Sequence, residues 1–202
     1  MNLADELLFF INIFIKFFFL PTPFFALTMF LTMTEGMDNG ARKKLSLKIT
    51  FSVYVSCLVL FLLGKEIFSL FGITIDAFRI GAGSLLFITA AGLVHARQPH
   101  SAFSFEDDIA VVPLAIPVIV GPATIGAILV MGVEIEKFRL KLIALAALFL
   151  AIFFTGAILY LSAYLETVFR KKGIIIISKI TGLILSALAA QLVFTGIKNF
   201  MK

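Results

Sequence analysis

Apolar residues fall along the chain in six long runs separated by short charged stretches: Leu7–Met33, Leu45–Leu63, Ile80–Val94 with flanks reaching 78–95, Ile109–Val133, Leu140–Leu165 and Ile174–Ile197. Crossing ~30 Å of hydrocarbon takes ~20 helical residues, so each run predicts one transmembrane helix, the third being the shortest. Barrel strands of outer membranes alternate apolar and polar residues, and these runs do not. The polar stretches Glu35–Lys44, Gly64–Arg79, His95–Asp108, Glu134–Lys141 and Glu166–Gly173 predict connecting loops, none long enough to form a domain. The third, "HARQPHSAFSFEDD", polar and acidic toward its end, divides the chain into residues 1–98 and 99–202, each carrying three runs.

Two runs are interrupted by proline: "FFFLPTPFFALTMF" at 17–30 and "PLAIPVIVGPATIG" at 113–126. Proline removes a backbone N–H and clashes with the preceding turn, so each motif predicts a helix broken at membrane depth. Such breaks persist where the freed backbone groups are buried in protein or face a wet cavity, and matched pairs of them mark transporter binding sites. Isolated prolines also kink packed helices with no further role. Pro23 and Pro122 lie 99 residues apart, as do Glu35 and Glu134, while Arg79/Lys179, Ile80/Ile180 and Leu85/Leu185 lie 100 apart. The shared offset predicts a duplication. Three spans per half make the second half enter the bilayer from the opposite side, so the expected architecture is all-α: six transmembrane helices in two inverted three-helix repeats, with helices 1 and 4 broken.

Composition agrees with a bilayer as solvent: 61% of the residues are hydrophobic, 14% are charged, and the mean hydropathy is +1.11. The net charge of +5 does not indicate a nucleic-acid partner here, because the basic residues sit in short loops where they signal topology. Four of them, Arg42, Lys43, Lys44 and Lys48, lie in or just after the first connecting stretch, against none in the N-terminal tail, and favour both termini outside. Asp5 and Glu6 precede the first run where a signal peptide would be basic, so that run is expected to remain in the mature protein. The single Cys57 excludes an internal disulfide or a two-thiol redox centre. His95 and His100 lack the spacing of a metal site, no catalytic motif lies at membrane depth, and neither an enzyme nor a resident cofactor is expected.

At each break the second half-helix offers unpaired N–H groups and the positive end of its dipole. The expected donors are the amides of Phe24, Phe25 and Ala26, following Pro23 and near the Thr22 and Thr28 hydroxyls, and those of Ala123, Thr124 and Ile125, following Gly121 and Pro122. A small zwitterion could set its carboxylate on these amides and its ammonium on the unwound carbonyls. Lys16 lies about nine residues into the first run, ~14 Å deep if the span begins at Leu7. Intramembrane charge is usually functional, so Lys16 is expected either to meet a substrate carboxylate or to titrate with a transported proton; if the span instead begins at Phe17, it snorkels to the headgroups. Asn12 shares its face one turn earlier. Thr155, Thr181, Ser186, Gln191, Ser52 and Ser56 read as interhelical hydrogen-bond partners, and Gly81, Gly83 and Gly182 as close-packing positions.

At these motifs the chain resembles the MarC family of multi-span membrane proteins, over nearly its whole length. "AVVPLAIPVIVGPATI" at 110–125 is similar to the family's P-L-A-x-P-x-x-x-G-P-G-x-I signature through Pro113, Pro117, Gly121 and Pro122, with Ala123 in place of its next glycine. "FGITIDAFRIGAGSLLF" at 71–87 and "ISKITGLILSALAAQLVFTGI" at 177–197 fit its third and sixth spans. Pro23 matches the proline of a first-repeat N-P-[I/L]-G motif, where Thr22 replaces the asparagine and Phe25 the glycine, and Thr28 stands where many members carry another proline. The resemblance implies an inner-membrane location, six spans in inverted repeats and transport; some relatives are described as carriers of small neutral amino acids. Lys16 matches no family motif. The expected function is alternating-access transport of a small zwitterionic solute, and the alternative is a non-transporting assembly or regulatory protein. A coupling ion, sodium or proton, and the oligomeric state stay open at this level.

Overall fold

The computed structural model describes residues 3–95 and 119–201, which form helices joined by short turns, with no strand among the described residues. α1 (Leu3–Phe19) carries Asp5 and Glu6 in its first turn, where carboxylates complement the helix dipole. It stops because Pro21 has no N–H for the Phe17 carbonyl and Pro23 none for Phe19. The chain turns instead through Thr22, whose N–H bonds the Phe19 carbonyl at 3.0 Å and whose backbone is left-handed at φ 48°. α2 (Pro23–Met33) then restarts with proline in its first turn, where the missing N–H costs nothing. After Gly36 at φ 83°, α3 (Asn39–Phe71) is capped by the Asp38 carboxylate, which accepts from the Gly40 and Ala41 amides at 2.6 and 3.1 Å. Gly72 at φ 63° ends it, as a left-handed residue commonly ends a helix. α4 (Ile75–His95), α5 (Pro122–Glu134), α6 (Phe138–Tyr160) and α7 (Ser162–Phe200) follow.

Five stretches are long and apolar enough to cross a membrane: Leu3–Met33, Asn39–Phe71, Ile75–His95, Phe138–Tyr160 and Gly173–Phe200. The chain is thus a multi-pass membrane protein. Of the expected fourth span, 109–133, residues 109–118 lie outside the described residues, and the remainder forms the short apolar helix α5. The central stretch beyond His95, with His100, and the motif prolines Pro113 and Pro117 also lie outside them.

Two expected loops are helical. The segment 64–71 continues α3, because Lys65 and Glu66 are good helix formers and no proline intervenes. The segment 166–173 lies inside α7, which is ~58 Å long at 1.5 Å per residue and so extends beyond the bilayer core. Charge there marks the end of the hydrocarbon, not the end of the helix.

α4 packs along α7, α3 against α5 and α6, α1 against α6, and α2 against α7 and α6, while α5 meets α4. Phe17, Phe30, Phe61, Leu86, Leu148 and Leu185 are fully buried between them, and Phe51, Phe87, Phe153, Leu183 and Phe194 project outward to lipid. Glycines set the closest approaches, as expected where no hydrophobic force drives helices together in lipid. A Cβ on Gly83 of α4 would lie 3.0 Å from the Ala189 carbonyl oxygen of α7, and one on Gly182 of α7 would lie 3.0 Å from the Ala90 carbonyl oxygen of α4. One on Gly196 would meet the Asp76 carbonyl at 2.8 Å. Seven residues forward on α4 therefore match seven back on α7, an antiparallel register. Gly81, expected to be a packing position, has nothing within 4 Å of such a Cβ. It lies one residue off the stripe that faces α7.

Candidate functional site

The two proline motifs touch. Breaking α1 leaves the Leu20 carbonyl without its intrahelical donor, and the Thr124 hydroxyl of α5 supplies one across 3.0 Å. Thr22 and Thr124 are each only 4% exposed, and Leu20, Pro21, Pro23, Val120 and Ala123 are buried around them. Gly121 precedes α5 in an extended conformation at φ −72°, ψ 170°, which any residue adopts.

The amides divide differently from the sequence expectation. Ala26 N–H is used by the Thr22 carbonyl at 2.9 Å and Ile125 N–H by the Gly121 carbonyl at 2.9 Å, because the residue before each proline already caps the new helix. Phe24 and Phe25 in one half-helix, Ala123 and Thr124 in the other, keep amides with no carbonyl to bond within their own helices. Phe24 and Phe25 are half-buried. The Thr28 hydroxyl donates back to the Phe24 carbonyl at 3.0 Å, so its proton is already committed.

Beside the junction, α1, α4, α5 and α7 border a partly open cavity of about 170 Å³. Leu20 forms its wall at the break, Leu86, Ala127, Met131 and Leu188 make it apolar, and Lys16, Arg79, Glu134, Gln191 and Thr195 bring polar groups. Lys16 is half-buried here and no carboxylate among the described residues pairs with it. Asn12, one turn earlier on α1, is exposed and lines no part of the cavity. Of the expected site residues the structure therefore gathers two groups: the threonine–proline junction and, next to it, Lys16.

Arg79 is the cavity-lining cation that the sequence reading leaves in a loop. It sits near the start of α4 with its side chain 12% exposed, paired with Asp76 one turn before and with Glu134 at the end of α5. Asn199 of α7 approaches Asp76 at 3.4 Å. The signal was present in the spacing: Asp76 and Arg79, three apart at the start of an apolar run, form an ion pair on one helix face. Arg42 makes a comparable clamp at the end of α2, donating to the Thr34 carbonyl from Nε at 3.1 Å and from a terminal nitrogen at 3.0 Å, with Glu166 at 3.9 Å.

Several residues expected to bond between helices bond within their own. Ser52, Thr155 and Thr181 donate to the carbonyls four residues back, and Ser186 to Leu183. In an apolar medium the nearest acceptor is the backbone of the same helix. His95 likewise bonds the Ala91 carbonyl at 2.8 Å, and no group of three metal-ligating side chains occurs among the described residues.

Comparison with known proteins places this arrangement. The description "MarC family integral membrane protein" matches residues 7–201. The chain belongs to the MarC family. Similar relatives within it include a UPF0056 membrane protein of Aquifex aeolicus, 30% identical over 96% of this chain and 94% of the relative. The UPF0056 membrane protein YhcE of Escherichia coli is 31% identical over 92% and 90%. A UPF0056 membrane protein of Methanocaldococcus jannaschii is 32% identical over 96% and 88%. No solved structure matches. Membership in a family spread over bacteria and archaea puts this MarC chain in a cell membrane.

Proposed function

We propose that the chain transports a small zwitterionic solute of the neutral amino-acid class across the inner membrane, by alternating access of two inverted repeats around the paired helix breaks, and is not an enzyme. The observation that carries this reading is the Thr124–Leu20 hydrogen bond beside a cavity: two proline breaks far apart in sequence meet at one place, with polar groups and partly open space next to them.

The packing supports an inverted duplication. Exchanging α3 with α6, α4 with α7 and α2 with α5 turns the α2·α6 and α2·α7 contacts into α5·α3 and α5·α4, all of which occur. At residue level Gly83 against Ala189 becomes Gly182 against Ala90 under the 99-residue offset that relates Pro23 to Pro122. A two-fold axis lying across an antiparallel pair generates that exchange.

The test is uptake of labelled glycine and alanine by purified protein in liposomes, with and without imposed sodium or proton gradients to identify the coupling ion. Pro122→Ala and Gly121→Leu, which alter the second break, are expected to lower the rate severalfold. Wild-type flux in both variants, each folded and inserted normally, would exclude the paired breaks as the transport site.

A further inference from the structure

We infer that the cavity beside the breaks is a carboxylate-binding site in which the Lys16 ammonium is the principal anchor and the Arg79 guanidinium the second. This rests on the transport reading for its role but not for its chemistry.

Charge bookkeeping inside the cavity leads to it. Arg79 faces two carboxylates, Asp76 and Glu134, so that cluster carries one negative charge in excess and its own cation is already paired. Lys16 has no counter-ion among the described residues, although it is half-buried on a helix whose neighbours are phenylalanines. A cation held in an apolar wall without a partner is costly, and an anion entering the cavity offsets that cost. Arg79 adds an independent observation: two of its nitrogens are engaged, while its Nε is buried without a hydrogen-bond partner. The guanidinium carries five N–H donors, and those not facing Asp76 and Glu134 are the ones that can meet a ligand carboxylate oxygen.

Size limits the ligand. A cavity of about 150 Å³ holds a benzene molecule, so the 170 Å³ here has room for a solute of alanine's size. Glu134, shared with Arg79 and partly exposed, is available to an α-ammonium group. Simple monocarboxylates and small α-amino acids share the group that Lys16 recognises; Glu134 favours the amino acids.

Binding to purified full-length protein in detergent, by calorimetry and by thermal shift, tests the assignment with alanine, propionate and alaninamide. Alanine should bind, propionate should bind more weakly or not at all, and alaninamide, which lacks the carboxylate, should not bind. Lys16→Gln should weaken alanine binding at least about tenfold, equivalent to ~1.4 kcal/mol. Lys16→Arg should keep most of the affinity, and Lys44→Gln, exposed near the start of α3, should be without effect. Melting temperatures without ligand separate lost binding from lost folding. Equal affinity for alanine and alaninamide, no carboxylate binding by the wild type, or wild-type affinity in a folded Lys16→Gln protein overturns the site. If such a variant binds normally while wild-type liposomes take up alanine, the anchor is wrong and the transport reading survives. Lys16-dependent binding with no uptake gives the reverse.

Discussion

Thr22 is held at φ 48°, where a β-branched residue costs about 1–2 kcal/mol, and the hydrogen bonds on either side of it fix that conformation. The MarC motif that the sequence resembles has asparagine at this position, a residue that tolerates the left-handed region. Thr22→Asn is therefore expected to stabilise the protein by ~1 kcal/mol, raising its melting temperature in detergent. Thr124 acts across the same junction. Thr124→Val removes the donor to Leu20 and should cost ~1 kcal/mol, whereas Thr124→Ser should restore most of it; equal melting of the two variants would show that the hydroxyl contributes nothing. At this scale the sequence was partly legible. Lys16 stood out because a lone charge inside an apolar run is conspicuous. Arg79 did not, because a charge near the end of a run looks like a loop residue until the helix start at Ile75 is known.

Among elements, proline announced the break between α1 and α2, where the chain lost its N–H donors, and the start of α5 at Pro122. The boundaries at charged stretches were misread for a physical reason: hydropathy reports where hydrocarbon ends, and a helix bonded through its own backbone can continue into water, as α3 and α7 do. Glycines inside the helices give a sharp contrast to test. Gly81 faces open space, so Gly81→Ala should raise stability by ~0.5–1 kcal/mol through reduced freedom of the unfolded chain. Two residues on, Gly83→Val would press on the Ala189 carbonyl and should lower stability by ~1–3 kcal/mol. Denaturant titration of the two variants in detergent measures both signs.

For the molecule as a whole, the arginine clamps lie at the ends of the two inner half-helices: Arg79 holds the last residue of α5 through Glu134, and Arg42 holds the end of α2 through the Thr34 carbonyl. In an inverted repeat these ends face opposite sides of the membrane. Arg79→Gln is then expected to increase thiol labelling of a cysteine placed at Met131 in the cavity wall from one side of the membrane only, and Arg42→Gln to leave that side unchanged. Equal labelling in both variants would separate the clamps from access. The 99-residue offset that suggested this expectation was legible in the sequence; the antiparallel register of α4 and α7 was not, since hydrophobic runs do not say which faces meet.

The glycine-to-carbonyl meeting of α4 and α7 restricts how such a molecule could move. At Gly83, Gly182 and Gly196 each backbone packs on a carbonyl of the other helix and on the β-branched side chains of Val193, Val94 and Ile80, which leaves little room for sliding. The pair would turn as one shaft, and any rocking of the two halves would have to be taken up at the short hinges on either side of it, the left-handed residue Thr22 among them.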